Sequence, residues 1–133
     1  MQAEYQGSLR CQLTHEPSGQ TQFTDAPVDN HGRGESFSPT DLLASSAASC
    51  MMTIMGIKAQ EKGWSLEGTR ASVEKYMSED APRRVVRLVI DVELPAHLDE
   101  AQFTIMKRVA LACPVLQSLN PAIEIEHRFR QLG

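Results

Sequence analysis

The sequence has few cysteines, and the three present, Cys11, Cys50 and Cys113, are odd in number and far apart. Without framework spacing, a disulfide-stapled secreted module is excluded. A secretory leader is missing too, because the opening MQAEYQGSLRCQ has neither a basic n-region nor an apolar h-region. Together these absences predict a reducing, cytoplasmic setting, in which any disulfide is transient and chemical rather than structural. Long hydrophobic runs are lacking as well. The uncharged stretch Leu42 to Ile57 is 16 residues, is diluted by Ser45, Ser46, Ser49 and Thr53, and falls short of the ~20 that a span needs.

Positive charge is not in excess: 13 Lys and Arg stand against 17 Asp and Glu, for a net −4. That balance argues against nucleic acid or an anionic membrane as the partner. His15, His31, His97 and His127 have no metal-ligand spacing to one another or to the cysteines, so no metal site is expected. No Ser-His-Asp constellation, phosphate-cradling glycine motif, internal repeat or low-complexity tract is present. The basic clusters at Arg83, Arg84 and Arg87 and at Arg128 and Arg130 read as solvated strand faces.

What is present describes one α+β domain spanning residues 1–133, long enough to bury its own core. Leu9, Cys11 and Leu13 alternate with Ser8, Arg10 and Gln12, and HEPSGQ turns that strand into TQFTD. The stretch 26–37, APVDNHGRGESF, lacks periodicity and reads as a loop ordered by function. A helix then starts at Ser38, with Pro39 at the first helical position and Asp41 in the first turn, and ends near Lys62 before Gly63. Two strands follow at about 65–77 and 84–94. In the second, Val86, Leu88, Ile90, Val92 and Leu94 face one side, against Arg87, Asp91 and Glu93. Asp99 with Gln102 predicts a capping box for a helix running to about Ala112. Cys113-Pro114 interrupts it, PVLQSL forms a short separate helix, and a strand from Ile123 closes the chain. The order is ββ-α-ββ-αα-β, with the sheet antiparallel and packed around a long buried central helix.

Two cysteines sit on helical segments. The helix face around Cys50 carries Leu43, Ser46, Ala47, Thr53, Ile54 and Ile57. The other positions are mostly small, which predicts enclosure by sheet and by another helix. Alone, Cys50 reads as a small core hydrophobe. Cys113, just before a helix-opening proline, is placed where unpaired N–H groups and the dipole would favour thiolate. Cys50 lies 11 residues past Pro39, beyond the dipole, so as a nucleophile it needs a cation brought to it. Cys11 reads as core.

The stretches GRGESFSPTDLLASSAASC and ACPVLQSL, with the element order, resemble the OsmC/Ohr family of osmotically inducible and organic hydroperoxide resistance proteins. That resemblance, which covers nearly the whole chain, implies an OsmC-like fold in an intertwined homodimer. It also implies thiol-dependent reduction of organic hydroperoxides without metal, flavin or other cofactor. Cys50 would be the peroxidatic cysteine and Cys113 the resolving one, a small hydroperoxide the substrate and an external dithiol the reductant. In the hydroperoxide-resistance branch a glutamate follows the helix-opening proline and pairs with an arginine near the thiol. Here Thr40 holds that place and the acid is Asp41, which lies roughly 13.5 Å along the axis from Cys50 and about 180° round it. Asp41 is therefore either a cap or a contributor to the second subunit's site. Arg10 and Arg33 are the candidate cations, with Glu35 able to hold either, and Phe37, Met51 and Met55 the candidate pocket walls. The alternative is a binding or stress protein that keeps this fold with little turnover, because a thiol lacking a properly paired arginine stays protonated.

Overall fold

The computed structural model describes all 133 residues. Packing resolves into two compact units, Met1–Leu43 and Ala44–Gly133. The elements are β1 (Gln2–Gly7), β2 (Arg10–His15), β3 (Gln20–Asp25), a 3-10 turn (Val28–Asn30), α1 (Pro39–Lys62), β4 (Arg70–Met77), β5 (Val85–Leu94), α2 (Glu100–Ala110), α3 (Pro114–Ser118) and β6 (Glu124–Gln131). This is the expected α+β order with one strand added at the front.

In the first unit β1, β2 and β3 form an antiparallel sheet in that order. The expected β2–β3 hairpin is present, with His15 paired to Gln20 and Arg10 to Asp25. β1 has no apolar face for a period-2 pattern to show, and it lies exposed at the sheet edge. Its link to β2 is a tight turn, not the start of a strand at Ser8: Ser8 and Leu9 both take left-handed backbone, φ 51° and 61°. The 26–37 segment folds back on the hairpin. Ala26 donates its N–H to Leu9 O at 3.0 Å and Gly32 to Pro27 O at 3.0 Å. Glycine is required at position 32, since a Cβ there would sit 1.6 Å from the Ala26 carbonyl oxygen.

Helix α1 is closed at both ends by its own sequence. Asp41 N–H donates to Ser38 Oγ at 3.0 Å, and Ser38 N–H donates to Asp41 Oδ2 at 2.8 Å, a reciprocal cap. At the far end Gly63 N–H reaches Gln60 O and Trp64 N–H reaches Ala59 O, the two bonds of a Schellman motif, with Gly63 at φ 69°. By length and hydropathy α1 passes as a membrane span. Its Ala44, Ala47, Ala48, Met51, Met55 and Ala59 are nevertheless packed inside the protein. Ser46, Ser49, Thr53 and Ile57, on or beside the cysteine face, are exposed in the single chain.

The second unit holds a mixed sheet ordered β4-β5-β6, fully antiparallel only in the first pair. β5 and β6 run parallel, which corrects the all-antiparallel expectation. Two features account for it. The α2–α3 segment supplies the long crossover that a parallel pair needs. The parallel register also sets Arg87 beside Glu124, Asp91 beside Arg128 and Glu93 beside Arg130, and each of these pairs is an ion pair. Arg87, Arg128 and Arg130 of the basic clusters are thus cross-strand partners of acids. On the inner side Leu88, Ile90, Val92 and Leu94 are fully buried. The Asp99–Gln102 capping box opens α2 as expected. β4 starts at Arg70, because Ser65 to Thr69 is spent on a turn containing Gly68 at φ 90°.

Candidate functional site

Within the second unit the two helical cysteines come together. Both are free thiols, Cys50 half-buried and Cys113 fully buried. The Cys50 thiol lies close enough to Cys113 to act on its ionisation. α1 brings Cys50 to the edge of its buried stripe. Cys113 is the N-cap of α3, with Pro114 fixing the first helical turn. Leu116 N–H donates to Cys113 Sγ at 3.4 Å. The cap geometry is as the sequence predicts, but its electrostatic consequence is reversed. Burial, helped by the neighbouring Cys50 thiol, pushes the Cys113 thiol above its ordinary value, against the N–H groups of Leu116 and Val115. Met51 and Met55 are fully buried core side chains, with no surface in the single chain to offer a substrate.

The first unit builds a second cluster. Arg10 donates from Nε to Asp25 Oδ1 at 2.7 Å and from Nη2 to Asp25 Oδ2 at 2.8 Å. Nη2 also reaches Glu35 Oε2 at 3.0 Å, and the guanidinium carbon lies 5.5 Å from the Phe23 ring centroid. Hydrogen bonds to Asp25 hold Arg10 above the usual arginine range, and the same bonds hold the Asp25 carboxyl below its ordinary value despite burial. Glu35 thus holds Arg10, as anticipated. Arg33 is exposed and acts on the cluster through its charge at Asp25. Phe37 is half-exposed and donates nothing to the cluster, while its carbonyl accepts from Asp25 N–H at 3.0 Å. Asp41 is engaged with Ser38 in the cap.

Asp25 escaped the sequence reading, although a signal for it exists. Once HEPSGQ pairs His15 with Gln20, counting five residues outward on each strand pairs Arg10 with Asp25. Candidate metal-binding groups of three or more His, Cys, Asp or Glu do not occur.

A family model described as OsmC-like protein matches residues 32–128. Among solved structures, a Psychrobacter arcticus protein described as a candidate osmotic stress induced and detoxification response protein is 46% identical, with TM-score 0.92, covering 97% of this chain and 93% of that one. An organic hydroperoxide resistance protein OsmC from Legionella pneumophila shares the fold at 15% identity and TM-score 0.75, covering 96% and 93%. Another organic hydroperoxide resistance protein, from Elizabethkingia anophelis, does so at 11% identity and TM-score 0.77, covering 98% and 94%. No curated protein matches the chain.

Proposed function

The chain belongs to the OsmC-like family, and on that premise we propose that it is a cytoplasmic, homodimeric thiol peroxidase that reduces organic hydroperoxides. One observation carries the proposal: Cys50 and Cys113, 63 residues apart in sequence (113 − 50), are neighbouring free thiols. Two neighbouring free thiols, one half-buried on α1 and one buried at the start of α3, have little packing rationale, since either could be an alanine. It has a clear redox one.

In the proposed reaction the Cys50 thiolate attacks the outer oxygen of the hydroperoxide. The O–O bond breaks, an S–O bond forms, and the leaving alkoxide takes a proton to become the alcohol. Cys50 is then a sulfenic acid. The Cys113 thiolate attacks that sulfur, the S–S bond forms, and hydroxide leaves as water. An external dithiol returns the pair to thiols and is itself oxidised to a disulfide. By the family resemblance, Arg10 is the candidate for the positive charge that would ionise Cys50, and Phe37 a candidate wall for the substrate's organic part.

Intact mass after one equivalent of cumene hydroperoxide tests the proposal. Loss of two hydrogens, abolished in Cys50→Ser, is expected. An unchanged mass, or full peroxide consumption by Cys50→Ser, would overturn it. A second reading, a fold-retaining binding protein with little turnover, draws on Thr40 in place of an acid and on the raised Cys113 thiol. It predicts that the thiols stay reduced under the same treatment.

A further inference from the structure

A disulfide offers an external thiol two sulfurs, and exchange proceeds through the one that the incoming thiolate can reach. Here the two differ. Cys113 is 0% exposed, whereas Cys50 is half-buried at the edge of the α1 stripe. Ser46 and Thr53, one turn to either side of Cys50, and Ser49 beside it are exposed and short. Short side chains shade a neighbouring sulfur little. A second copy packed on this face would cover Cys50 further, but it would open no path to Cys113.

The leaving end is prepared as well. When Cys50 is attacked, the electron pair of the broken S–S bond goes to Cys113 Sγ. That atom is the N-cap of α3 and accepts from Leu116 N–H at 3.4 Å, a bond that strengthens as the sulfur gains charge. Burial opposes a thiolate at Cys113, and this donor offsets part of that cost at the atom that must leave.

We propose that external thiols enter at Cys50 and that Cys113 is the leaving sulfur, so that peroxide and reductant share one entry atom. This rests on the reading of the two cysteines as a redox pair. In the first step a thiolate of the dithiol reductant attacks Cys50 Sγ. A new S–S bond joins the reductant to Cys50, the Cys50–Cys113 bond breaks, and Cys113 leaves as a thiolate that takes a proton. In the second step the reductant's other thiolate attacks the reductant sulfur of that mixed disulfide, and Cys50 leaves as a thiolate. The reductant departs as a disulfide, having given up two electrons. Entry at Cys113 would instead require a foreign molecule inside a close-packed interior.

A monothiol stops after the first step, which makes it the probe that records the entry atom. The full-length chain is oxidised with diamide and mixed with mercaptoethanol. Samples are quenched with acid at successive times, blocked with N-ethylmaleimide and mapped by peptide mass spectrometry. Extrapolation to zero time removes exchange between thiols of one chain. The mercaptoethanol adduct is then expected on Cys50, with N-ethylmaleimide on Cys113, in at least about tenfold excess over the reverse. An adduct on Cys113 in equal or larger amount overturns the inference. The preference should vanish in the guanidinium-unfolded chain, and its persistence there also overturns the inference, because burial would not be its cause. Should diamide form no Cys50–Cys113 disulfide, the redox-pair reading fails, and single-cysteine chains still decide the entry atom. Cys113→Ser is expected to form a mixed disulfide with glutathione disulfide at Cys50 at least about tenfold faster than Cys50→Ser does at Cys113, since exchange in both directions needs the same access. Equal rates overturn the inference.

Discussion

At Cys113 two opposing influences act on one sulfur. The start of α3 offers N–H groups that favour the thiolate, and Leu116 N–H does donate to Sγ. Complete burial favours the neutral thiol, because a charge there gives up its hydration. Burial is the larger effect, so the thiol is raised from its ordinary value of 9.0. The sign for kinetics follows. A resolving attack needs the thiolate, so disulfide formation should be slow at pH 7 and accelerate as pH rises toward and past that value. Sulfenic acid at Cys50, trapped with dimedone after a peroxide pulse, should therefore persist longer at pH 7 than at pH 9. Trapping yields independent of pH would show that burial does not govern the resolving step. The converse case is Asp25, where pairing outweighs burial because bidentate bonds from a guanidinium reach it. Single buried groups thus titrate according to what faces them, and the depth of burial alone does not decide the direction.

Within elements, the ends were the most legible parts. Ser38-Pro39-Thr40-Asp41 opens α1 and Gly63 closes it, since caps are local chemistry written in adjacent residues. The same holds for Asp99 and Gln102. Faces of α1 were less legible, because a helix of Ala, Ser and Met offers little contrast between sides. The buried stripe runs through Ala44, Ala48, Met51 and Met55, so the methionines proposed as pocket walls are core. β1 stayed hidden because its residues face water, and the parallel β5–β6 pairing because register is a non-local property. Of the site, the cysteines were visible as residue types. Asp25 needed a hairpin register to be carried five residues outward. Cap geometry also bears on a role left open by sequence. Asp41 is bonded to Ser38 in both directions, so Asp41→Ala should act on helix stability. A loss of about 1 kcal/mol is expected by urea denaturation, the range for a lost cap, with Cys50 alkylation changed by less than twofold. A large fall in alkylation with stability intact would instead place Asp41 in the thiol's environment.

For the molecule as a whole, the surfaces left uncovered by one chain bear on assembly. The cysteine face of α1 exposes Ile57 at 50%, beside a half-buried Ile54. The first unit separately exposes Tyr5, Leu9, Phe23, Phe37 and Val28. Scattered exposed apolar residues are ordinary on soluble proteins. Their presence on the helix that bears Cys50 matters to the proposed reaction, because a thiol open to water lacks the apolar surroundings that an organic hydroperoxide would partition into. A second copy covering this face would remove that defect, in keeping with the homodimer proposed for the chain. Ile57→Asp should then convert a dimer to a monomer in sedimentation velocity at micromolar concentration, since a carboxylate in a dry interface has no counter-charge. Because Cys50 and Cys113 are neighbours within a single unit of one chain, the monomer should still close the disulfide when treated with diamide. Consumption of an organic hydroperoxide should fall at least tenfold in the same variant, a loss of the order expected when reacting groups are no longer held together. A dimer that persists in Ile57→Asp would move the interface off this face. A monomer with undiminished peroxide consumption would show that each chain completes its own site, and that the exposed face of α1 serves no part of the chemistry.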